Sequence, residues 1–188
     1  VDLILSAKIK KVVIGCVDPD IRTNGLSIKK LKHFGVEVFT GCLVDEIEET
    51  LVGFKNRITK NKPYITVKIA STLDGKISLK NGKSKWITGE NTRQYIHLLR
   101  ARNNALLTGI GTISFDNPLL NCRKSGLDNH SPLIFILDSK LSIDIRSKIF
   151  QNKKTLIILT TNQHDKNKAK ILLQNNVKFH VLDKDKDG

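Results

Sequence analysis

Apolar positions along the chain switch between a period of two and a period of three to four, and this sets out a series of short strands and helices. Residues 11–17 (KVVIGCV) are an apolar, β-branched run that predicts a buried strand. Residues 27–34 carry Ile28 and Leu31 at helical spacing, with Gly35 placed to end the helix. Residues 36–40 (VEVFT) alternate as a second strand. The clearest helix is 43–60, where Val44, Ile47, Leu51, Phe54 and Ile58 fall on one stripe. Its first turns hold Asp45, Glu46, Glu48 and Glu49, and its last hold Lys55, Arg57 and Lys60, as the helix macrodipole prefers. Residues 61–63 (NKP) break the pattern and suit a domain boundary.

The second segment opens on residues 64–72 (YITVKIAST), which predict a strand. The dipeptides Asp74-Gly75 and Asn81-Gly82 mark turns on either side of the apolar stretch 76–79. Residues 90–104 read as a helix with Tyr95, Leu98, Leu99 and Ile96 inward. Strands follow at 105–108, 133–137 (LIFIL), 155–160 and 177–182, with a helix at 162–176 that turns Ala169, Leu172 and Leu173 inward. The charged tail 183–188 (DKDKDG) reads as frayed. Strands that alternate with helices imply an α/β protein with a largely parallel sheet.

Composition bounds the function classes. The 188 residues suit one domain or one and a half, and 39% hydrophobic residues are enough for a core. No apolar run approaches the roughly 18–20 residues of a membrane-spanning helix. Residues 1–11 mix acid, base and apolar residues without a cleavage site, so no signal peptide is expected. Methionine is absent and the chain opens on Val1, which points to a piece of a longer protein. The net charge of +14 fits a nucleic-acid groove or attraction of phosphorylated small molecules. The lysines are scattered, however, and aromatic residues for base stacking are few, so composition drift explains the charge equally well. Cys16, Cys42 and Cys122 are odd in number and widely spaced, which argues against a disulfide framework and fits a reducing compartment.

Metal and nucleophile signatures are absent. The five histidines show neither HExxH spacing nor an HxE pair, and no PCxxC accompanies them. His33 and His97 fall in helical patterns and read as structural or surface residues. There is no GxSxG, and the lone Gly109-Ile110-Gly111 is a tight turn rather than a dinucleotide fingerprint. The better signal is a set of polar residues at strand ends and loops. Lys68 interrupts an apolar strand and either pairs with a partner such as Asp74 or faces solvent. Trp86, the chain's one tryptophan, either walls a planar ring or joins the core. Arg100 and Arg102 close a helix, Thr112 and Asp116 follow the glycine turn, and Arg123 follows a proline loop. Ligands of open α/β sheets lie beyond the carboxyl ends of strands, and the arginine fork suits phosphate.

Several consecutive pieces match a known family in the right order: VKIASTLDGKIS at 67–78, SKWITG at 84–89, LLRARNNALLTGIGT at 98–112, DNPLLNCR at 116–123 and PLIFILDS at 132–139. This stretch resembles the reductase domain of the bifunctional deaminase/reductase of riboflavin biosynthesis. Residues 1–60, with KKVVIGCVDPD, GLSIKKLKHFGVEV and the acid-led helix to GFKNRI, resemble the end of that family's deaminase domain. The resemblance implies two parts: 1–60 as the C-terminal part of a cytidine-deaminase-like α/β domain, and 63–188 as a dihydrofolate-reductase-like reductase domain.

The resemblance implies that NADPH delivers a hydride to C1′ of a ring-opened, phosphorylated ribosylamino-pyrimidine, giving the ribitylamino compound. The family's cofactor contacts fall on Ala70, Trp86, Thr112, Asp116 and Ser139, and its substrate contacts on Ser84, Arg100, Leu120 and Arg123. No side chain need be a nucleophile, since the cofactor carries the difficult step. A cytoplasmic homodimer joined through the reductase domain is implied, with no nucleic-acid, membrane or metal partner. The family's zinc ligands and general-base glutamate lie ahead of Val1, and its glycine-rich cofactor loop lies past Gly188. Deamination is therefore not expected of this chain alone, and reduction is expected to be weakened or lost. Two alternatives stay open: a catalytically incompetent remnant that needs a partner chain, and a basic nucleic-acid-binding module.

Overall fold

The computed structural model describes residues 1–152 and 154–183; the tail expected to fray lies outside the described residues, apart from Asp183. The chain divides into two units, Val1–Ile69 and Ala70–Gly188. Among the described residues no helix is long and apolar enough to cross a membrane.

The first unit runs α1 (Asp2–Ser6), β1 (Lys11–Ile14), α2 (Leu26–His33), β2 (Glu37–Thr40) and α3 (Val44–Lys60). β1 and β2 pair in parallel, with Lys11 opposite Glu37 and Ile14 opposite Thr40. The expected strand 11–17 stops at Ile14. Gly15 then lies close to α3, where a Cβ would meet Ile47 Cδ1 at 1.8 Å and the Cys42 carbonyl at 3.1 Å, so a larger residue there would force Ile47 to move. α1 has no counterpart in the pattern reading; it is tethered instead by Lys30 Nζ, which donates to Asp2 Oδ1 at 2.7 Å. α3 ends where the NKP break predicts, with Asn61 left-handed at φ 50°. Val44, Ile47, Leu51 and Ile58 are half-buried, whereas Phe54 is exposed, so the apolar stripe faces only a thin partner.

The second unit holds α4 (Glu90–Arg102), β3 (Ala105–Gly109), α5 (Ile110–Asp116), β4 (Leu133–Leu137), β5 (Leu156–Thr160), α6 (Lys166–Leu173) and β6 (Val177–Val181). Single 3-10 turns at Asp128–His130 and Lys148–Gln151 lie in the connections. The sheet order is β3-β4-β5-β6 and every pairing is parallel, as the alternating pattern implies. The core gathers Ile113, Ile134, Ile136, Ile143, Ile158 and Leu172, all nearly inaccessible to solvent. LIFIL is buried only at Ile134 and Ile136, while Leu133 and Leu137 are exposed on the other face. α6 starts later than 162 because the Asp165 carboxylate caps it, accepting from the backbone N–H of Asn167 and Lys168. Leu172 points inward there and Leu173 outward. On α4, Tyr95 is likewise exposed.

The expected strand at 64–72 does not form. A strand exists only where a neighbouring backbone completes its hydrogen bonds, and β3 pairs with β4 alone. Ile65, Val67 and Ile69 are each about three-quarters exposed. Lys68 is exposed too, so the solvent-facing reading of that lysine is the right one. The following turn does form: Thr72 exchanges backbone hydrogen bonds across to Lys76 and Gly75.

Asp138 terminates β4 as a buried carboxylate. Its Oδ1 accepts from the Ser142 N–H (2.9 Å) and hydroxyl (3.0 Å), and its Oδ2 accepts from the Ile143 N–H (2.9 Å). In the first unit Asp20 plays a similar role in a loop, binding the Arg22 side chain and N–H. The Arg22 guanidinium draws the Asp20 carboxyl down to about 2.

Ile136→Ala should lower the unfolding free energy by about 2–5 kcal/mol through a core cavity, measured by urea titration with circular dichroism. Asp138→Ala should cost about 1–3 kcal/mol for each buried donor left unpaired, and Asp138→Asn clearly less. The Asp20 contact is present in full above the ordinary carboxyl range and lost as pH falls towards 2. Asp20→Asn should therefore flatten the acid limb of the melting temperature between about pH 4 and 2.

Candidate functional site

α4 organises the loops that carry Ser84, Trp86 and Arg123. It begins after an extended Gly89 with Glu90 in its first turn and ends on Arg100 and Arg102, charges that match its dipole. Arg93, His97 and Arg100 are spaced four and three residues apart, which puts them on one face of the helix.

Arg93 holds the loop that carries Ser84 and Trp86. Its Nη1 donates to the Thr88 carbonyl at 2.7 Å, and its guanidinium lies over the Trp86 ring at 4.3 Å. The indole is nevertheless 71% exposed, so a broad aromatic surface remains open to solvent. Ser84 and Ala70 are half-buried in the same loop-rich stretch. Gly82 sits against α5: a Cβ on it would come within 3.3 Å of the Phe115 ring.

Further along α4, Arg100 and Arg123 meet around Asn121. Arg100 Nη1 donates to the Asn121 carbonyl at 3.0 Å, and Arg123 Nη1 donates to Asn121 Oδ1 at 3.1 Å. Among the described residues neither arginine has a carboxylate partner, and the buried Arg100 Nε has no hydrogen-bond acceptor. Burial, and then the charge of Arg123, pull the Arg100 guanidinium below its ordinary value, although it stays cationic at neutral pH. Two like charges around a neutral amide, with a donor unspent, make an anion-seeking arrangement.

The loop that bears Arg123 is fastened at several points. Asn117 Oδ1 accepts from the Lys148 N–H (2.7 Å), Asn152 Nδ2 donates to the Leu119 carbonyl (2.6 Å), and the Cys122 N–H donates to Ser131 Oγ (2.9 Å). Leu120 is buried in the core with φ 58°, so it presents backbone rather than side chain at the surface.

Thr112, Asp116 and Ser139 form a separate group. Gly109 and Leu137 are in register, so α5 and the Asp138-Ser139 turn leave the same edge of the sheet, where the strands end. Thr112 and Ser139 are exposed and Asp116 is half-buried. The Ser139 carbonyl accepts from the Thr160 and Thr161 hydroxyls at 3.1 and 3.0 Å, which ties that edge to β5. An open cleft of about 580 Å³ lies beside α5, with Ser114, Asn117, Ser142 and Arg146 among its lining.

The arginines do not share that edge. Arg100 lies ahead of β3 and Arg123 in the connection into β4, where Leu133 N–H donates to the Asn104 carbonyl at the start of both strands. Arg100 closes a helix, as the sequence reading has it, and α4 precedes β3 in the chain. No hydrogen bond, ion pair or ring contact among the described residues joins the two groups. Among the described residues no group of three His, Cys, Asp or Glu side chains could hold a metal ion.

Sequence reasoning missed Arg93, Asn121 and Asp138, and read His97 as structural or surface. His97 is part of the cluster: its Nδ1 accepts the Arg123 N–H at 3.2 Å, and its carbonyl accepts from Cys122 Sγ at 3.3 Å. Burial, then the Arg100 and Arg123 charges, push its pKa below the ordinary histidine range. The i, i+4, i+7 spacing of Arg93, His97 and Arg100 was the available signal.

Comparison with known proteins bears on this arrangement. The family described as RibD C-terminal domain matches residues 63–184. The riboflavin biosynthesis protein RibD of Aquifex aeolicus is 34% identical over 181 residues, covering 96% of this chain and 50% of the relative. That of Actinobacillus pleuropneumoniae is 36% identical over 153 residues, covering 81% and 40%. A solved diaminohydroxyphosphoribosylaminopyrimidine deaminase/5-amino-6-(5-phosphoribosylamino)uracil reductase of Thermotoga maritima aligns with TM-score 0.81 at 34% identity, over 97% of this chain and 50% of its own. Acinetobacter baumannii RibD aligns with TM-score 0.82 at 30% identity, over 99% and 52%. These matches bear out the expected fold class, and the chain spans about half the length of the relatives it matches. With the match over residues 63–184 and four parallel strands behind the two groups of polar residues, this chain belongs to the RibD C-terminal domain family.

Proposed function

We propose that this chain carries the reductase function of riboflavin biosynthesis, the NADPH-dependent reduction of 5-amino-6-(5-phosphoribosylamino)uracil to the ribitylamino compound. The observation that carries the reading is the Arg100–Arg123 pair, two guanidinium groups without a carboxylate and with Arg100 Nε unspent. The Thermotoga maritima relative is a reductase of a phosphoribosylamino compound, whose phosphate is the kind of anion such a pair would hold.

In this reading Arg100 and Arg123 bind the sugar phosphate, Ser84 adds a hydroxyl, and Leu120 contributes its backbone. Ala70, Trp86, Thr112, Asp116 and Ser139 would hold the dinucleotide. The exposed Trp86 surface and the exposed hydroxyls of Thr112 and Ser139 fit a large ligand with a planar ring and many acceptor oxygens. Held by these residues, NADPH would supply the hydride for C1′ of the opened sugar. The protein's own work is positioning: Arg93 fixes Trp86, Asn121 spaces the two arginines, and Asp138 steadies the turn that bears Ser139.

Residues 1–60 correspond to the C-terminal part of a deaminase-like domain, a reading supported by relatives that align along 96% of this chain. The protein works in the cytoplasm, as three free, widely spaced cysteines suit, and pairs with a second copy through its reductase unit. A second reading, a chain incompetent on its own, is favoured by one observation: the apolar side chains of Ile65, Val67 and Ile69 lie exposed beside no partner strand among the described residues.

NADPH should quench the emission of Trp86 more than NADH at equal concentration. A flat titration to millimolar cofactor with a cooperative melt would favour the second reading instead. Arg123→Ala should raise the Michaelis constant for substrate about tenfold or more, the size of one charged hydrogen-bonded contact, and leave that for NADPH nearly unchanged. Asp116→Ala should do the reverse. Steady-state kinetics with each ligand varied separately checks both, and equal effects on the two constants would undo the assignment.

A further inference from the structure

The arginine pair needs something to hold it together, because two cations on neighbouring elements repel. α4 is rigid, and Arg100 rides on it. Arg123 stands on a connection of irregular backbone between α5 and β4, and its placement is set by what fastens residues 121–123 to the helix. Three contacts do so: Arg100 Nη1 to the Asn121 carbonyl, Cys122 Sγ to the His97 carbonyl, and the Arg123 N–H to His97 Nδ1. The last fixes the backbone of Arg123 itself. It also requires a lone pair on Nδ1, which leaves the ring proton on Nε2 and the imidazole neutral. Burial, and then the charges of Arg100 and Arg123, favour that state and outweigh the Asn121 backbone carbonyl, which favours a charged ring.

We propose that His97 is a positioning residue for the anion site: as a neutral Nδ1 acceptor on α4 it seats the backbone of Arg123 so that both guanidinium groups converge on one phosphate. The inference rests on the reading of Arg100 and Arg123 as phosphate ligands. His97 itself need not touch the ligand. A bond from a rigid helix to the residue whose side chain does the binding lets the loop meet the anion already ordered, which lowers the entropy lost on binding.

The test is binding of ribose 5-phosphate, with ribose as the unphosphorylated control, to the full chain by isothermal titration. His97→Ala removes the acceptor and should weaken ribose 5-phosphate binding up to about tenfold, the fold-change of one lost hydrogen bond. His97→Asn places an amide oxygen where Nδ1 stood and should stay within about threefold of the parent. His97→Gln, whose terminal oxygen reaches the Nε2 position, should behave like the alanine variant. A role in packing alone would give Asn the same loss as Ala. Long-range 1H–15N spectra should show His97 as the Nε2–H tautomer at pH 7 in the parent chain; the Nδ1–H form would overturn the proposal whatever the variants do.

The outcomes separate the two layers of argument. If Arg100→Ala and Arg123→Ala abolish binding while His97→Ala leaves it unchanged, His97 is not the positioning residue and the phosphate site stands. Should the arginine variants bind ribose 5-phosphate as the parent does, or should ribose bind equally well, the phosphate reading fails and takes this inference with it.

Discussion

Parallel pairing constrains this chain more than any single contact. When every strand of a sheet runs the same way, each connection must cross back, so all strand ends lie along one edge and all strand beginnings along the other. The β3-β4-β5-β6 ladder obeys this rule without exception. The consequence is a division of labour. α5 and the Asp138 turn leave one edge, while the C-terminal end of α4 and the connection bearing Arg123 approach the other. Asp138 and Asn121 are the fasteners on the two sides, one a buried carboxylate on backbone N–H groups, the other a neutral amide between cations.

Charge is handled differently at these two places. Asp138 is buried, but three donors satisfy it, and a carboxylate so provided is stable in a low dielectric. The arginine pair has no compensating anion among the described residues. It is held by Asn121, which contacts both guanidinium groups, and by His97 Nδ1, which accepts the Arg123 N–H. The scattered lysines that produce the net charge of +14 are a different matter, since exposed and dispersed charges are screened and specify no ligand. The local pair, rather than the overall balance, supports phosphate as the partner.

The extent to which the chain was legible differs by element. β4 and β5 were readable because short, β-branched apolar runs have few alternatives, and β6 because its apolar and polar residues alternate. α3 was readable to within one residue because its stripe, charge gradient and NKP stop agree. The segment 64–72 was misread because its alternation describes what a strand would bury, not whether a neighbour is there to pair with it. α6 came out shorter because the Asp165 cap overrides the polar residues ahead of it. Trp86, Arg100 and Arg123 were singled out before their contacts were known, whereas Asn121 and Asp138 were not, since an amide or a carboxylate in a loop looks like ordinary surface until its partners are seen.

The sequence by itself determined the order of strands and helices, the α/β class and the family, because each follows from local periodicity and from motifs read in sequence. Only the tertiary structure decided that Arg93, His97 and Arg100 share one helix face with loops seated on it. It also decided that the two arginines meet without a carboxylate, and that α5 and the turn bearing Ser139 leave a different edge of the sheet. Those facts depend on contacts between residues such as His97 and Arg123, 26 positions apart. No local pattern encodes such a pairing; it arises when the crossover between parallel strands brings distant backbone together.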